Sequence, residues 1–239
     1  MANLIQLRML ENLDGFLLVD KPAGLAFSSV VKAVKRKFNL VKVGHGGSLD
    51  AMASGLFVLL VGDANKFAGE VMGADRSWAG EIRFGKKTDT HDAFGRDVPA
   101  PGGPIPDPES LNKALDEFRG DIFQTESRFC SIRKEGSAGY EIADTGEHKP
   151  FLSHIYRFEV SAPDGGMSVF SLKGTKNLLV RTLVNDLGDA LGCGACLAGL
   201  RRTAVGKFDV SDAVPFVKIL ETEASSFASF VLPLSKALA

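Results

Sequence analysis

The densest set of residues able to do chemistry is the loop Gly44-His-Gly-Gly-Ser-Leu-Asp-Ala-Met-Ala-Ser-Gly55. Its glycines permit tight turns and close backbone approach, and it sets His45 and Asp50 within one short polar stretch. Three chemistries could use such a loop. A phosphate cradle is one, but the G-x-x-x-x-G-K-[ST] pattern is missing. A metal site is another, but His45 and Asp50 alone offer two ligands, short of a closed tetrahedral set. The third is a lone carboxylate acting as nucleophile or electrostatic catalyst. On composition alone, a structural loop with a capping aspartate comes before any of them.

Two other clusters need weighing. Cys193 and Cys196 have C-x-x-C spacing, yet no second pair and no nearby histidine completes a zinc site, so no metal is expected. Lys32, Lys35, Arg36 and Lys37, followed by Lys42, form either a solvated helix face or an RNA-backbone patch. The whole chain gives the second option little general help. Its 239 residues carry 28 Lys and Arg against 29 Asp and Glu, a net charge of −1, so any nucleic-acid contact must use a local patch. Three cysteines make no even disulfide framework, and nothing at the N-terminus reads as a signal peptide. Reduced thiols and a cytoplasmic location are therefore expected. No apolar run approaches the roughly 20 residues that span a bilayer, so a soluble protein without membrane association is expected.

The elements that must position these residues are legible in outline. Gly15 to Asp20 is a short apolar run closed by Lys21-Pro22, which predicts a buried strand. Ser28 or Ser29 can cap a helix through Phe38, with Val30, Val31, Val34 and Phe38 on one face. Leu56 to Val61 predicts a second buried strand, Asp63 can cap a short helix with Phe67 and Val71, and Trp78 to Phe84 predicts a third strand. The proline-rich stretch Pro99 to Pro108 is an exposed connector, and Asp107 with Pro108 opens a helix to about Arg119. Strand-like segments follow near Ile122 and Cys130, at His154–Val160 and at Met167–Leu172. Leu179, Leu183, Leu187 and Leu191 recur at spacing four, which predicts a helix over 178–191 stopped by Gly192. The tail alternates from Leu197 to Val210 and turns helical after Ser211. The mixture implies an α+β fold with a mixed, mainly antiparallel sheet and flanking helices.

The Gly44–Gly55 string resembles the TruB-family signature G-H-x-G-x-L-D-P-x-A-x-G, with Gly44, His45, Gly47, Leu49, Asp50, Ala53 and Gly55 in place. Further stretches resemble the same family in the same order: Gly15-Phe-Leu-Leu-Val-Asp-Lys-Pro-Ala-Gly24, Val61-Gly-Asp-Ala-Asn-Lys66 and Gly85-Lys-Lys-Thr-Asp-Thr-His-Asp-Ala-Phe-Gly95. Val180-Arg-Thr-Leu-Val-Asn-Asp-Leu-Gly188 and Leu200-Arg-Arg-Thr-Ala-Val-Gly-Lys-Phe208 complete the series. One such match arises easily by chance; six in order do not.

The resemblance implies a pseudouridine-synthase-like α+β fold with a central cleft, here a single catalytic domain over residues 1–239. It implies isomerisation of uridine to pseudouridine in RNA, at the T-loop uridine (position 55) of tRNA, with no cofactor and no metal. Asp50 would be the catalytic carboxylate, and Arg181 would pair with it, keeping it ionised and aimed. His45 would contact the flipped-out nucleotide, Trp78 would stack on the target base, and Leu200 would wall the base pocket. Lys21 and Lys66 would help hold the site or the RNA phosphates. The partner would be the T-stem-loop of tRNA, read by shape and splayed bases, and the family expectation is a monomer.

Four departures from the family pattern stand out. Trp78 occupies the position of a tyrosine and lacks its phenolic hydroxyl. Ala51 replaces the proline after Asp50. The stretch Thr125 to Tyr140 keeps little of the family segment there, and Gly174 to Arg181 is longer than the family's G-T-Y-I-R and has no tyrosine. The chain also stops about where the catalytic domain of the family ends, with no C-terminal PUA domain expected. These departures leave room for a non-catalytic or weakly active paralogue acting as an RNA-binding or tRNA-folding protein.

Overall fold

Two apolar runs near the N-terminus have no polar alternation at all, the pattern of strands covered on both faces. In the structure, a computed structural model describing residues 13–125 and 149–237, they are β1 (Gly15–Lys21) and β3 (Ser54–Val61). Between them come α1 (Phe27–Lys37) and the short β2 (Val43–His45), and α2 (Ala68–Gly73) follows. The chain continues through β4 (Arg76–Phe84), β5 (Lys87–Thr88), β6 (Asp97–Val98), α3 (Pro108–Asp116) and β7 (Gly120–Gln124). Then come β8 (Phe151–Val160), β9 (Met167–Gly174), α4 (Val180–Ala190) and β10 (Ala195–Val205). The last stretch holds β11 (Phe208–Asp209), β12 (Val214–Pro215), α5 (Phe216–Glu221), α6 (Ala224–Phe227), β13 (Val231–Pro233) and α7 (Leu234–Ala237). These elements form two compact units, one from residues up to Ala74 together with those from Arg201 onward, the other from Asp75 to Leu200.

In the first unit β1 and β3 pair antiparallel from Gly15↔Val61 to Lys21↔Gly55. β2 joins the far end of β3 antiparallel, and the second half of β10 joins its near end in parallel at Arg201↔Ser54 and Arg202↔Gly55. β12 and β13 pair with the free side of β1. Alternate side chains fill two layers. Phe16, Leu18, Leu56, Val58 and Leu60 pack with Val71, Val205 and Phe208. On α1, Val30, Val34 and Phe38 are buried, and Phe38 stacks on Phe227 of α6 at 3.8 Å.

The second unit holds an antiparallel sheet in the order β4-β9-β8-β7. β4 pairs with β9 from Arg76↔Gly174 to Arg83↔Met167, β9 with β8 across a bulge between Ile155 and Arg157, and β8 with β7. Asp107 caps α3 by accepting from the N–H groups of Glu109 and Ser110, and Pro108 stands at its start, as the sequence predicts.

Three local expectations are corrected. α1 starts at Phe27 after Ala26, with no side-chain cap from Ser28 or Ser29. Its start is set by packing, because the Phe27 ring lies against His45 and Phe57. Asp63 caps no helix: residues Gly62–Phe67 form a 3-10 turn, the Asp63 carboxylate pairs with Lys66, and its own N–H donates to Asp14. The leucine stripe becomes helical only from Val180, since Leu179 exchanges two hydrogen bonds with the side chain of Gln124. The segment near Cys130 and the motif remnants between Thr125 and Tyr140 lie outside the described residues, except Thr125 itself.

Candidate active site

Asp50 sits in the connection between β2 and β3, and two buried cations fix that connection through its backbone. Lys21, at the end of β1, is fully buried and donates to the carbonyls of Pro22 at 2.9 Å, Leu25 at 2.8 Å and Ala51 at 3.4 Å. The Gly24 N–H reaches the same Ala51 carbonyl at 2.7 Å. The Lys-Pro turn is thereby stitched to the residue that follows Asp50. Burial pushes the Lys21 ammonium down to about 8, while the nearby Asp50 carboxylate opposes that shift and Arg202 adds to it.

Arg202 is the second cation. It is 1% exposed, and its Nε donates to the Leu56 carbonyl at 2.8 Å and its Nη1 to the Ser48 carbonyl at 2.9 Å. One guanidinium thus spans the loop from two residues before Asp50 to the first turns of β3. Gly55 makes this approach possible. Its φ is +97°, and a Cβ there would run into the Arg202 backbone. Next door, Arg201 makes a two-pronged ion pair with Asp20 at 2.9 and 2.8 Å, anchoring β10 to the end of β1.

His45, at the end of β2, accepts the Gly47 N–H on Nδ1 at 3.2 Å. A neutral ring in this arrangement carries its proton on Nε2. The ring packs edge-on to Phe27 at 5.2 Å and against Phe57 at 5.9 Å. Lys66 is exposed, and its ammonium meets Asp63 at 2.7 Å.

The second unit holds Trp78, Arg181 and Leu200. Trp78 lies on β4 opposite Leu172, only 9% exposed, and Leu200 on β10 is as deeply buried. Arg181 opens α4, where its Nη1 donates to the Thr90 carbonyl at 2.9 Å and lies 3.8 Å from the Asp92 carboxylate. That carboxylate is wholly buried and accepts from the Thr90 hydroxyl at 2.8 Å and the Phe94 N–H at 3.0 Å. The Thr-Asp-Thr-His-Asp turn, tied to β10 through Ala93 and Leu197, is therefore an acceptor cradle for the Arg181 guanidinium. Gln124 holds the other side of the same helix start, its amide accepting from the Leu179 N–H and donating to the Leu179 carbonyl. His91, inside the cradle, adopts a φ of +63°. Burial and the Arg181 charge lower its basicity below the usual histidine value.

Sequence reading nominated Asp50 and Arg181 but missed Arg202, Asp92 and Gln124 as the residues that bind their surroundings. Arg202 and Asp92 stand inside matched motifs, and nothing in the sequence marks Gln124. Cys193 and Cys196 are both buried and free, and burial pushes both thiols up. Among the described residues no group of three or more His, Cys, Asp or Glu is placed to hold a metal. No described helix is long and apolar enough to cross a membrane.

Residues 35–176 match the TruB family pseudouridylate synthase N-terminal domain, and residues 181–239 match the tRNA pseudouridylate synthase B C-terminal domain. The chain belongs to the TruB family. Similar curated proteins include a tRNA pseudouridine synthase B of Opitutus terrae, 39% identical over 85% of this chain and 86% of that protein. Another, from Haemophilus influenzae, is 37% identical over 91% of this chain and 71% of its own length. Among solved structures, a chain of a Cbf5–Nop10–Gar1 complex superposes with a TM-score of 0.74 at 22% identity, covering 97% of this chain and 63% of that one. That likeness shows a shared fold. TruB membership also accounts for the order of the loops described above, since the matched motifs supply the Asp50 loop, the Arg181 cradle and the Arg201–Arg202 pair.

Proposed function

We propose that this protein isomerises uridine to pseudouridine in transfer RNA, at the T-loop uridine, with Asp50 as the catalytic carboxylate. The observation that supports this most is the way the Asp50 loop is held. Lys21, Gly24 and Arg202 bind main-chain carbonyls on both sides of it, and the chain belongs to a family of pseudouridylate synthases. In the reaction the bond between C1′ of the ribose and N1 of the base breaks, the base turns, and C1′ bonds to C5. The C5 proton leaves and N1 is reprotonated, so the product is an isomer. A carboxylate suits this step because it can bond covalently or stabilise a cationic sugar or base without a cofactor.

In this reading Arg181 keeps Asp50 ionised, Trp78 stacks on the target base, Leu200 walls its pocket, and His45 contacts the flipped-out nucleotide. Lys21 fixes the loop from within, and Lys66, exposed beside Asp63, meets RNA phosphate. The protein acts as a monomer in the cytoplasm. Trp78 favours one second reading, a paralogue that folds or binds tRNA with weak chemistry, because indole cannot accept the C5 proton as a phenolate would.

The test is pseudouridine formation on a T-stem-loop RNA by the wild type and by Asp50→Ala. Product from the wild type alone supports the assignment. RNA binding without product from either would replace it with the paralogue.

A further inference from the structure

Between Asp20 and Asp50 the sequence has no acidic residue, yet it holds Lys21, Lys32, Lys35, Arg36, Lys37 and Lys42. In a chain of net charge −1, such segregation concentrates positive potential on one surface. Lys21 is buried, and the other five are exposed. Lys32, Lys35 and Arg36 share one face of α1 at spacings of three and four, opposite the buried Val30 and Val34.

Elsewhere several cations meet carboxylates: Lys66 with Asp63, Lys87 with Asp189, Arg119 with Asp116, Arg157 with Glu159 and Arg201 with Asp20. Among the described residues none of the α1 cations, nor Lys42, has a carboxylate within 4.0 Å. Lys37 instead lies over the Phe38 ring at 5.5 Å.

This face is coupled to the Asp50 loop at both ends of α1. Upstream, Gly24 bonds Ala51 and Phe27 packs on His45. Downstream, Lys42 leads into β2, and its carbonyl accepts from Gly62 at 3.0 Å. Helical rise places Arg36 about 14 Å along the axis from Phe27, the length of several nucleotides of a stem at about 3.4 Å each. The apolar side of α1 is already buried, so no face is left to enter a bilayer.

We infer that the Lys32–Lys35–Arg36 face of α1, continued by Lys37 and Lys42, docks the phosphate backbone of an RNA stem flanking the nucleotide held at Asp50. The inference rests on the proposed RNA substrate and adds the surface that supplies its affinity.

The experiment is binding of a T-stem-loop RNA between 50 and 200 mM salt, measured in an Asp50→Ala background so that turnover plays no part. The variant is Lys32→Gln/Lys35→Gln/Arg36→Gln, and the control is Lys113→Gln/Lys207→Gln/Lys218→Gln, which removes the same charge from exposed positions elsewhere. The α1 variant is expected to flatten the slope of log affinity against log salt by roughly 3, with an unchanged melting temperature. With Asp50 restored, KM rises and kcat at saturating RNA holds. An unchanged slope, an equal effect of the control, no RNA binding by the parent, or loss only of binding to phosphatidylserine vesicles overturns the inference. A wild type that binds RNA through this face but makes no pseudouridine defeats the proposed activity and leaves the docking surface standing.

Discussion

The loop carrying Asp50 and the helix start carrying Arg181 are built from opposite materials. Around Asp50 the supports are donors: the Lys21 ammonium, the Gly24 N–H and the Arg202 guanidinium, all aimed at main-chain carbonyls. Around Arg181 the supports are acceptors, the Thr90 carbonyl and the Asp92 carboxylate. Donors aimed at main-chain carbonyls on both sides of a glycine-rich loop restrict the backbone that carries the carboxylate. A guanidinium has five N–H donors in a fixed fork, so a carbonyl and a carboxylate on one turn can orient it. The difference teaches that the Asp50 loop is braced through its backbone by buried donors, and the Arg181 head group by acceptors on one turn.

The largest effect expected from this contrast is at Arg202. Arg202→Met leaves the buried Leu56 carbonyl and the part-buried Ser48 carbonyl without their donor, a loss of about 2–4 kcal/mol, and Arg202→Lys recovers part of it. Thermal unfolding measures the stability and single-turnover kinetics the chemistry. If the Met variant keeps the wild-type single-turnover rate, the loop does not depend on its guanidinium clasp.

Next comes Lys21. Its ammonium is pushed down to about 8 in the folded protein from the 10.5 of a free lysine, so the unfolded chain binds the extra proton between those values. Its contribution to stability therefore rises as pH goes from 8 toward 10.5. The melting-temperature gap between wild type and Lys21→Met should widen over that range, by on the order of 2 kcal/mol in stability. A gap that stays flat or narrows would show that the ammonium is not held as described.

The smallest effect belongs to the acceptor side. Gln124→Ala frees the Leu179 N–H and carbonyl at the start of α4, for about 1–2 kcal/mol. Amide exchange in residues 179–183 should accelerate while exchange in β3 does not. Equal acceleration in both places would erase the distinction between the two modes of support.

Much of the local architecture could be read directly. The uninterrupted apolar runs at 15–20 and 56–61 became β1 and β3, and Asp107-Pro108 became the start of α3. Patterning over a few residues suffices there, because period and capping chemistry act within a turn. The expected Ser28 and Asp63 caps failed for the complementary reason. The Phe27 ring found a deeper partner in His45 and Phe57, and Asp14 reached the Asp63 N–H from far along the chain.

The order of the motifs was enough to place the chain in its family and to nominate Asp50 and Arg181, since both stand in strings of fixed local spacing. What holds those residues was decided only by the tertiary structure. Arg202 lies 154 positions from the Ser48 carbonyl it binds, Arg181 lies 91 from the Thr90 carbonyl, and Gln124 lies 55 from Leu179. A backbone carbonyl has the same chemistry at every residue and leaves no mark in the sequence. Which carbonyl a buried cation will find depends on strand pairing and on the shape that pairing imposes.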